Sequence, residues 1–402
     1  MKIESTINLD VEEPNLKHLS LRESEASHPI GGDNFLLLKN PTSDKLAILF
    51  SGTFKNSGRF DFWNVGKALN DHVNVLLLNN GRNQWYQQGI PDFGKSLEDS
   101  VTHIGKFVKQ LNIKHIYTIG VSMGGYGAVL FGRLLNAKVL AFGIDSEVCI
   151  PGSRSRKSMH ASAAMEYPDL RPLLLSKKID LTLIVGEMDI LDLYGAVRIS
   201  NIPGVKTISV RGMDHGGGRY IEKTKGLASF IKSFIDGEVL PPLNEEGDIL
   251  DHPDLIKSLY KAHCLGLESN WEKSFEILKP LVTAYPESDI AHYSFALTLI
   301  KLKKYNEARM HLCFVAAMVP HFISGRFYLA YCLRMEKRYK ASLHLFLEQL
   351  KEKPQSAPTL FNVGLIYLSL GEQYKARSYI EKAVEIQPNK KIYSDKLRSL
   401  KS

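Results

Sequence analysis

Pro286, Pro320, Pro354 and Pro388 stand 34 residues apart, and no other feature of this 402-residue chain restricts its fold so tightly. A fixed period of that length means one supersecondary unit stacked on copies of itself, because a single such unit cannot bury its own apolar face. Other positions keep the same phase: Trp271, Tyr305 and Tyr339; Ser274, Ala308, Ser342 and Ala376; Ala262, Ala296, Ala330 and Gly364. The small residues let two antiparallel helices approach, the aromatic residue fills the wedge near their turn, and the proline ends the second helix. The C-terminal part of the chain is therefore expected to be wholly helical.

The pattern resembles the tetratricopeptide repeat over about Leu255 to Pro388, in four units, with a polar capping helix expected within Lys390 to Leu400. Lys261 and Gln349 depart from it, since such repeats usually carry apolar residues there. The resemblance implies a solenoid whose concave surface recruits a protein partner or an extended polymer. Lys301, Lys303, Lys304, Lys337, Arg338 and Lys340, near the turns between helices, would favour an acidic one.

Upstream the period changes. From Phe35 to Phe234 apolar runs of strand length alternate with helical patterns, as in a doubly wound, mainly parallel sheet covered on both faces. Strands are expected at 35–38, 46–50, 73–78, 116–121, 139–144, 181–185 and 207–210, and helices around 63–69, 96–111, 122–135, 192–200 and 224–235. Residues 1–34 read as a lead-in, 35–237 as the α/β domain, 238–253 with the Pro241–Pro242 pair as a linker, and 254–402 as the repeat domain. With 44% hydrophobic and 23% charged residues, the chain has apolar material for two separate cores. The first residues show no basic segment followed by an apolar run, and no stretch reaches the roughly 18 apolar residues of a membrane span. A cytoplasmic protein without a membrane span is expected. Cys149, Cys264, Cys313 and Cys332 lack metal-ligand or redox spacing, so they read as reduced packing residues and no metal is expected. The net charge of +8 is scattered, with no basic stripe interleaved with aromatics, which argues against a nucleic-acid partner.

The α/β segment holds one turn that points to chemistry. The apolar strand ending at Val121 runs through Gly120-Val121-Ser122-Met123-Gly124-Gly125 into a helix. A turn so sharp requires small residues two positions to either side of the serine, and Gly120 and Gly124 supply them. The Ser122 hydroxyl would stand at the C-terminal edge of the sheet, over a helix N-terminus whose N–H groups stabilise a developing oxyanion.

This strand, turn and helix resemble the nucleophile turn of the α/β-hydrolases. The resemblance implies a triad in the order Ser, Asp, His, and two later turns match it: Asp189 after the strand 181–185, and His215 after the strand ending at Val210. In that arrangement His215 takes the Ser122 proton and Asp189 orients the imidazole, with Asp192 or Asp145 as alternative acids. His160 lies in a Ser-rich insertion instead of after a strand. The run His215-Gly216-Gly217-Gly218 is similar to a lipase oxyanion loop, but such a loop precedes the nucleophile and this one comes after it. The matching region is Leu49 to Phe54, with Ser51 in place of the family's histidine. The backbone N–H groups of Thr53 and Met123 are expected to form the hole, with Gly52 and Phe54 as alternatives to Thr53.

Two insertions bear on the substrate. Arg82, Trp85 and Tyr86 in 79–91 suit stacking on sugar faces and hydrogen bonding, or else the aromatics simply pin a long loop. Arg154, Arg156, Lys157 and Arg171 in 149–178 would attract an acidic substrate or a phosphate-bearing acyl donor, or form a solvated charged loop. Neither insertion supplies a long apolar lid, which counts against long-chain fats. The domain as a whole looks like bacterial esterases and the serine-dependent O-acetyltransferases of surface polysaccharides. That likeness implies an acyl-enzyme resolved by water or by a sugar hydroxyl, a carbohydrate or small acyl-ester substrate, and no cofactor beyond acetyl-CoA as donor in the transfer case. The alternative is a tetratricopeptide scaffold whose hydrolase domain is inactive or secondary.

Overall fold

The computed structural model describes residues 30–53, 58–160, 163, 165–215, 217–243 and 245–400, so most of the expected lead-in and Phe54 lie outside the described residues. The chain divides into two compact units, 1–260 and 261–402. In the first, β1 (Ile30–Gly31), β2 (Phe35–Leu38), β3 (Lys45–Phe50), β4 (Asn74–Leu78), β5 (His115–Val121), β6 (Lys138–Phe142), β7 (Asp180–Gly186) and β8 (Val205–Val210) form one sheet in the order β1-β2-β4-β3-β5-β6-β7-β8. The β1–β2 and β2–β4 pairs are antiparallel and all other neighbours are parallel. Strand β1 has no counterpart among the expected strands: its two residues pair with Leu36 and Leu37 but are too few to show a period.

The connecting helices are α1 (Trp63–Asn70), α2 (Leu97–Gln110), α3 (Met123–Leu135), α4 (Arg154–Ser158), α5 (Leu170–Leu175), α6 (Ile190–Ile199), α7 (Gly217–Lys225) and α8 (Leu227–Asp236). Local chemistry sets their ends. At α2 the Asp99 N–H donates to Ser96 Oγ at 3.0 Å while the Ser96 N–H donates to Asp99 Oδ2 at 3.1 Å, a reciprocal cap. Helix α3 stops at Asn136, left-handed at φ 56, whose N–H returns to the Gly132 carbonyl. Leu227, Phe230, Ile231 and Phe234 make one buried face of α8, packed with Tyr117, Phe142 and Ile208 of the sheet. Each such side chain withdrawn from water contributes about 1.5–3 kcal/mol.

Strand β4 lies on one side of β3 and β5 on the other, so the winding reverses between β3 and β5. At such a reversal the loops after the two strands diverge and leave a crevice at their C-terminal ends, where ligands of open α/β sheets bind. Ser51 to Thr53 and Ser122 occupy those two loops.

The segment expected as a linker belongs to the first unit. Along β8 the Arg211 N–H donates to the Glu245 carbonyl at 2.7 Å and the Gly247 N–H to the Ser209 carbonyl at 3.0 Å. The buried Glu187 carboxylate accepts from Ser209 Oγ at 2.7 Å and from the Ile249 N–H at 3.2 Å. Pro241 and Pro242 lie beyond the end of helix α8 without detaching the residues after them, because the polar groups of that segment find partners on the sheet edge.

The helical region runs α9 (Pro253–Leu267), α10 (Trp271–Ala284), α11 (Asp289–Lys301), α12 (Tyr305–Met318), α13 (Ile323–Met335), α14 (Tyr339–Glu352), α15 (Ala357–Ser369), α16 (Gln373–Ile386) and α17 (Lys391–Arg398). Each periodic proline stands two residues beyond the end of α10, α12, α14 or α16. Ser274, Ala308, Ser342 and Ala376 are buried, and a Cβ on Gly364 would meet Ile380 Cγ1 at 2.5 Å, so close helix approach does demand small residues there. Gln349 is buried yet satisfied: its Nε2 donates to the Ile323 carbonyl at 2.9 Å and its Oε1 accepts from Thr359 Oγ1 at 3.0 Å, tying three helices together. Lys261 is simply exposed. The short α17 caps the stack through Tyr393, whose ring lies 4.5 Å from that of Phe361.

A second 34-residue period appears only in the backbone. Ser269, Lys303, Lys337 and Gly371 are left-handed, at φ 61, 62, 62 and 80. At each, its own N–H and that of the next residue fold back onto the helix end, as with Lys303 onto Ile300 and Lys304 onto Leu299. Lysine supports this turn at a cost that glycine avoids.

Candidate active site

Ser122 has φ 59 and ψ −122, a backbone conformation that costs a residue with a Cβ on the order of 1–3 kcal/mol. A Cβ on Gly120 would collide with the Gly124 carbonyl, and one on Gly124 with the Phe50 carbonyl, so both glycines are sterically required. Ser122 stands at the N-cap of α3, where a serine usually bonds the first helical turn, yet its side chain makes no capping hydrogen bond. The hydroxyl is held out of its ordinary structural role. Its own N–H donates to the Phe142 carbonyl at 2.9 Å, which anchors the turn to β6.

His215 follows β8 and reaches back over the same strand ends. A Cβ on Gly218 would lie 3.4 Å from Val121 Cγ2, and one on Gly217 3.8 Å from Phe142 Cβ. His215 Nδ1 is 2.9 Å from Asp192 Oδ1 and 3.0 Å from Asp192 Oδ2, and Asp192 is 1% exposed. Asp192, not Asp189, is therefore the carboxylate bonded to this imidazole, which corrects the expected assignment. Asp189 is committed elsewhere: its Oδ1 accepts the N–H groups of Leu191 and Asp192 at 3.0 Å each, capping α6, and its Oδ2 accepts from Arg154 Nη2. Asp145 accepts from the Ser155 N–H at 2.7 Å and orders the second insertion. Gly143 lies under the pair at φ 48, where a Cβ would overlap the Asp192 carboxylate and come within 3.0 Å of His215 Nδ1.

Arg154 joins both acids, with Nη1 3.1 Å from Asp192 Oδ1 and Nη2 on Asp189 Oδ2. Burial and the neighbouring Asp189 charge push the Asp192 carboxyl above its ordinary value, against the pull of His215 and Arg154. Burial acts on Asp189 in the same sense, but Arg154, His215 and the helix amides outweigh it and hold that carboxyl low. Asp189, Asp192 and His215 each offer an atom within 4.8 Å of the others, a spacing a metal ion could bridge. Both carboxylates are instead turned onto the guanidinium, which already supplies the cation.

The loop after β3 carries Gly52 and Thr53, two of the expected oxyanion donors. The Gly52 N–H is spent on Asp61 Oδ2 at 2.7 Å, and the Asp61 N–H donates to Ser51 Oγ at 3.2 Å. Thr53 remains among the described residues, on a loop pressed against the start of α3: a Cβ on Gly124 would lie 2.9 Å from the Ser51 carbonyl. Tyr86 Oη donates to the Ser51 carbonyl at 2.8 Å and so supports this loop.

Trp85 and Tyr86 are 1% and 0% exposed, which corrects their expected role in stacking on a ligand. They are left-handed core residues, and the Tyr86 ring packs edge-on to Phe50 at 5.1 Å. Arg82 on the same loop is exposed. Gln87 clamps the two insertions together: its Nε2 donates to Tyr126 Oη and the Tyr167 carbonyl at 2.8 Å each, and its Oε1 accepts the Tyr167 N–H at 2.6 Å.

Comparison with known proteins assigns the helical region. Residues 249–315 match the family described as anaphase-promoting complex, cyclosome, subunit 3, and residues 357–390 match the tetratricopeptide repeat family. Similar solved structures include MamA, 41 to end, from Desulfovibrio magneticus RS-1, at 18% identity over 36% of this chain and 82% of that one, TM-score 0.34. They also include YrrB, titled a TPR protein with an unusual peptide-binding site, at 19% identity over 37% and 77%, TM-score 0.34. A thermophilic TPR protein of Thermus thermophilus, TTC0263, is similar at 20% identity over 36% and 80%, TM-score 0.33. No curated protein matches the chain. The C-terminal unit thus carries tetratricopeptide repeats, a class of scaffold and protein-interaction element, and the N-terminal unit is a mixed α/β sheet domain. Among the described residues no helix is long and apolar enough to cross a membrane.

Proposed function

We propose that this protein is a tetratricopeptide scaffold that brings a protein partner to an N-terminal serine hydrolase or acyltransferase centre. The scaffold role is the better supported half, since the family matches fall on the repeats. The enzymatic half rests on one observation: Ser122 holds a strained backbone, at a winding reversal of the sheet, with its hydroxyl withheld from helix capping.

In this reading the Asp192 carboxylate, which can only accept, keeps the proton of neutral His215 on Nδ1. Nε2 is then the base that removes the Ser122 proton as the hydroxyl attacks an acyl carbonyl, and it returns that proton to the leaving group. The N–H groups of Met123 and Thr53 face the developing oxyanion. Water or an acceptor hydroxyl then resolves the acyl-enzyme, with acetyl-CoA as donor if the acceptor is a sugar. A small acyl ester on a polar carrier is the proposed substrate class, and the exposed Arg82 is the remaining candidate to contact it.

The test is covalent labelling by a fluorophosphonate probe together with cleavage of p-nitrophenyl acetate. The native protein should show both and Ser122→Ala neither; labelling that survives in Ser122→Ala, or a native protein inert to both, overturns the enzymatic half and leaves the scaffold. Mass spectrometry of acetyl groups, with acetyl-CoA and a polysaccharide acceptor, then separates transfer from hydrolysis.

A further inference from the structure

Arg154 comes from a five-residue helix inside the second insertion, 35 residues before Asp189, the first acid it touches. Among the described residues, the charged groups around His215 are Asp189 at the α6 N-cap, Asp192 in the first turn of α6, Arg154 from α4, and Asp214 beside the histidine in the chain. Asp145, through the Ser155 N–H, holds α4 in place. A buried carboxylate beside a half-buried one, without a counter-charge, would repel it and draw a proton onto the adjacent imidazole.

We propose that Arg154 is a positioning residue for His215: its guanidinium, bridging Asp189 and Asp192, holds a doubly acidic pocket at one net negative charge and fixes the carboxylate that the imidazole bonds. The planar fork suits this task, since each nitrogen takes one oxygen from a different acid. The insertion thereby reaches the chemistry through its arginine, and a displacement of α4 would unbalance the pocket. The inference rests on the hydrolase reading for the use made of His215, whereas the charge balance itself stands apart from catalysis.

The experiment follows His215 by NMR titration of its imidazole in the full-length protein, alongside fluorophosphonate labelling across pH. Arg154→Met should raise the His215 midpoint by about one pH unit or more, and the acid limb of labelling should move with it. Arg154→Met combined with Asp189→Asn restores one net negative charge and should return both towards the native values. Asp189→Asn alone keeps a good N-cap and should lower the midpoint, which keeps the idea testable if Arg154→Met fails to fold. An unchanged midpoint in a folded Arg154→Met protein, no recovery in the double variant, or a midpoint that does not fall in Asp189→Asn overturns the proposal. A native protein that never labels overturns the hydrolase reading alone, because the titrations still decide what Arg154 does.

Discussion

Replacing Ser122 by glycine should stabilise the first unit while abolishing any chemistry at the site. At φ 59 and ψ −122 the serine Cβ is held where a side chain is unfavourable, at a cost on the order of 1–3 kcal/mol. Glycine removes that strain and gives back roughly 0.5–1 kcal/mol through its greater freedom when unfolded. The difference leaves a net gain of about 1 kcal/mol, or roughly 2–4 °C in the melting temperature of a unit this size. Ser122→Ala is the control, because it deletes the hydroxyl but keeps the Cβ and the strain. No capping bond is lost in either variant, since the Ser122 side chain makes none. Calorimetry of the full-length protein resolves the measurement, with the repeat unit as an internal reference that neither substitution should move. If Ser122→Gly melts no higher than Ser122→Ala, the turn stores no strain and the argument for a functional serine loses its foundation.

Three further outcomes are expected from the geometry. Asp192→Asn should depress probe labelling and turnover by orders of magnitude, as loss of the carboxylate behind a catalytic histidine does, while Asp189→Asn should cost far less; the reverse order in a labelling assay would return the acid role to Asp189. Lys303→Gly and Lys337→Gly should each raise the melting temperature of the repeat unit, by up to about 1 kcal/mol of stability apiece, because both lysines occupy left-handed turn positions that Gly371 fills in the last repeat. The repeat unit should also lose stability on mild acidification. His292 Nε2 donates to the Pro286 carbonyl at 3.1 Å, so its Nδ1 is left to accept from His311 Nδ1 at 2.8 Å, and one bridging proton holds the pair. Burial lowers the pKa of both rings, and His292 adds to the effect at His311; the Pro286 hydrogen bond and then the Asp289 charge oppose it at His292, and the Glu307 charge opposes it at His311. The unfolded chain therefore binds more protons than the folded one as pH falls through about 6.5, and stability present above that value is lost below it. Urea unfolding at pH 7.5 and 5.5 should show this loss shrink in His311→Gln; an equal loss in both proteins would refute it.

The repeats were the most legible part of the fold because each unit obeys only its neighbours. Trp271, Tyr305 and Tyr339 begin the second helix of their units, and the prolines come just after its end, so sequence phase became structural phase directly. What the period could not reveal was the left-handed turn at Lys303 and Lys337, since lysine gives no hint of a positive φ. The alternation of strand and helix in the first unit was plain in its main elements, although α4, α5 and α7 were not among the expected helices; nor were β1 and the edge segment beyond Pro242 legible. Both are held by pairing to a distant strand, and hydrogen bonds to β2 or β8 leave no mark in local composition.

The sharp turn at Ser122 and the place of His215 after the last strand were legible in the sequence, but not what surrounds them. Gly120 and Gly124 announce the turn at Ser122, because steric exclusion acts within five residues and is written there. The acid is a different matter. Asp189 and Asp192 are the N-cap and the third helical residue of α6, both favourable places for a carboxylate at a helix N-terminus. Local sequence gives each an equal claim, and Asp189 stands nearer the strand. The choice is made by Arg154 and His215, which arrive from 35 residues upstream of Asp189 and 23 residues downstream of Asp192. Asp189 spends one oxygen on the helix amides and the other on the guanidinium, so Asp192, one turn deeper and 1% exposed, is the carboxylate that meets the imidazole. Trp85 and Tyr86 left two readings open for the same reason: an aromatic pair in a polar loop can stack on a ligand or pin the loop, and the choice is made by burial, with Phe50 and the Ser51 carbonyl receiving Tyr86. Their burial turns the loop from a binding surface into a support for the segment that carries Thr53, and that leaves Arg82 as the exposed basic group of this insertion.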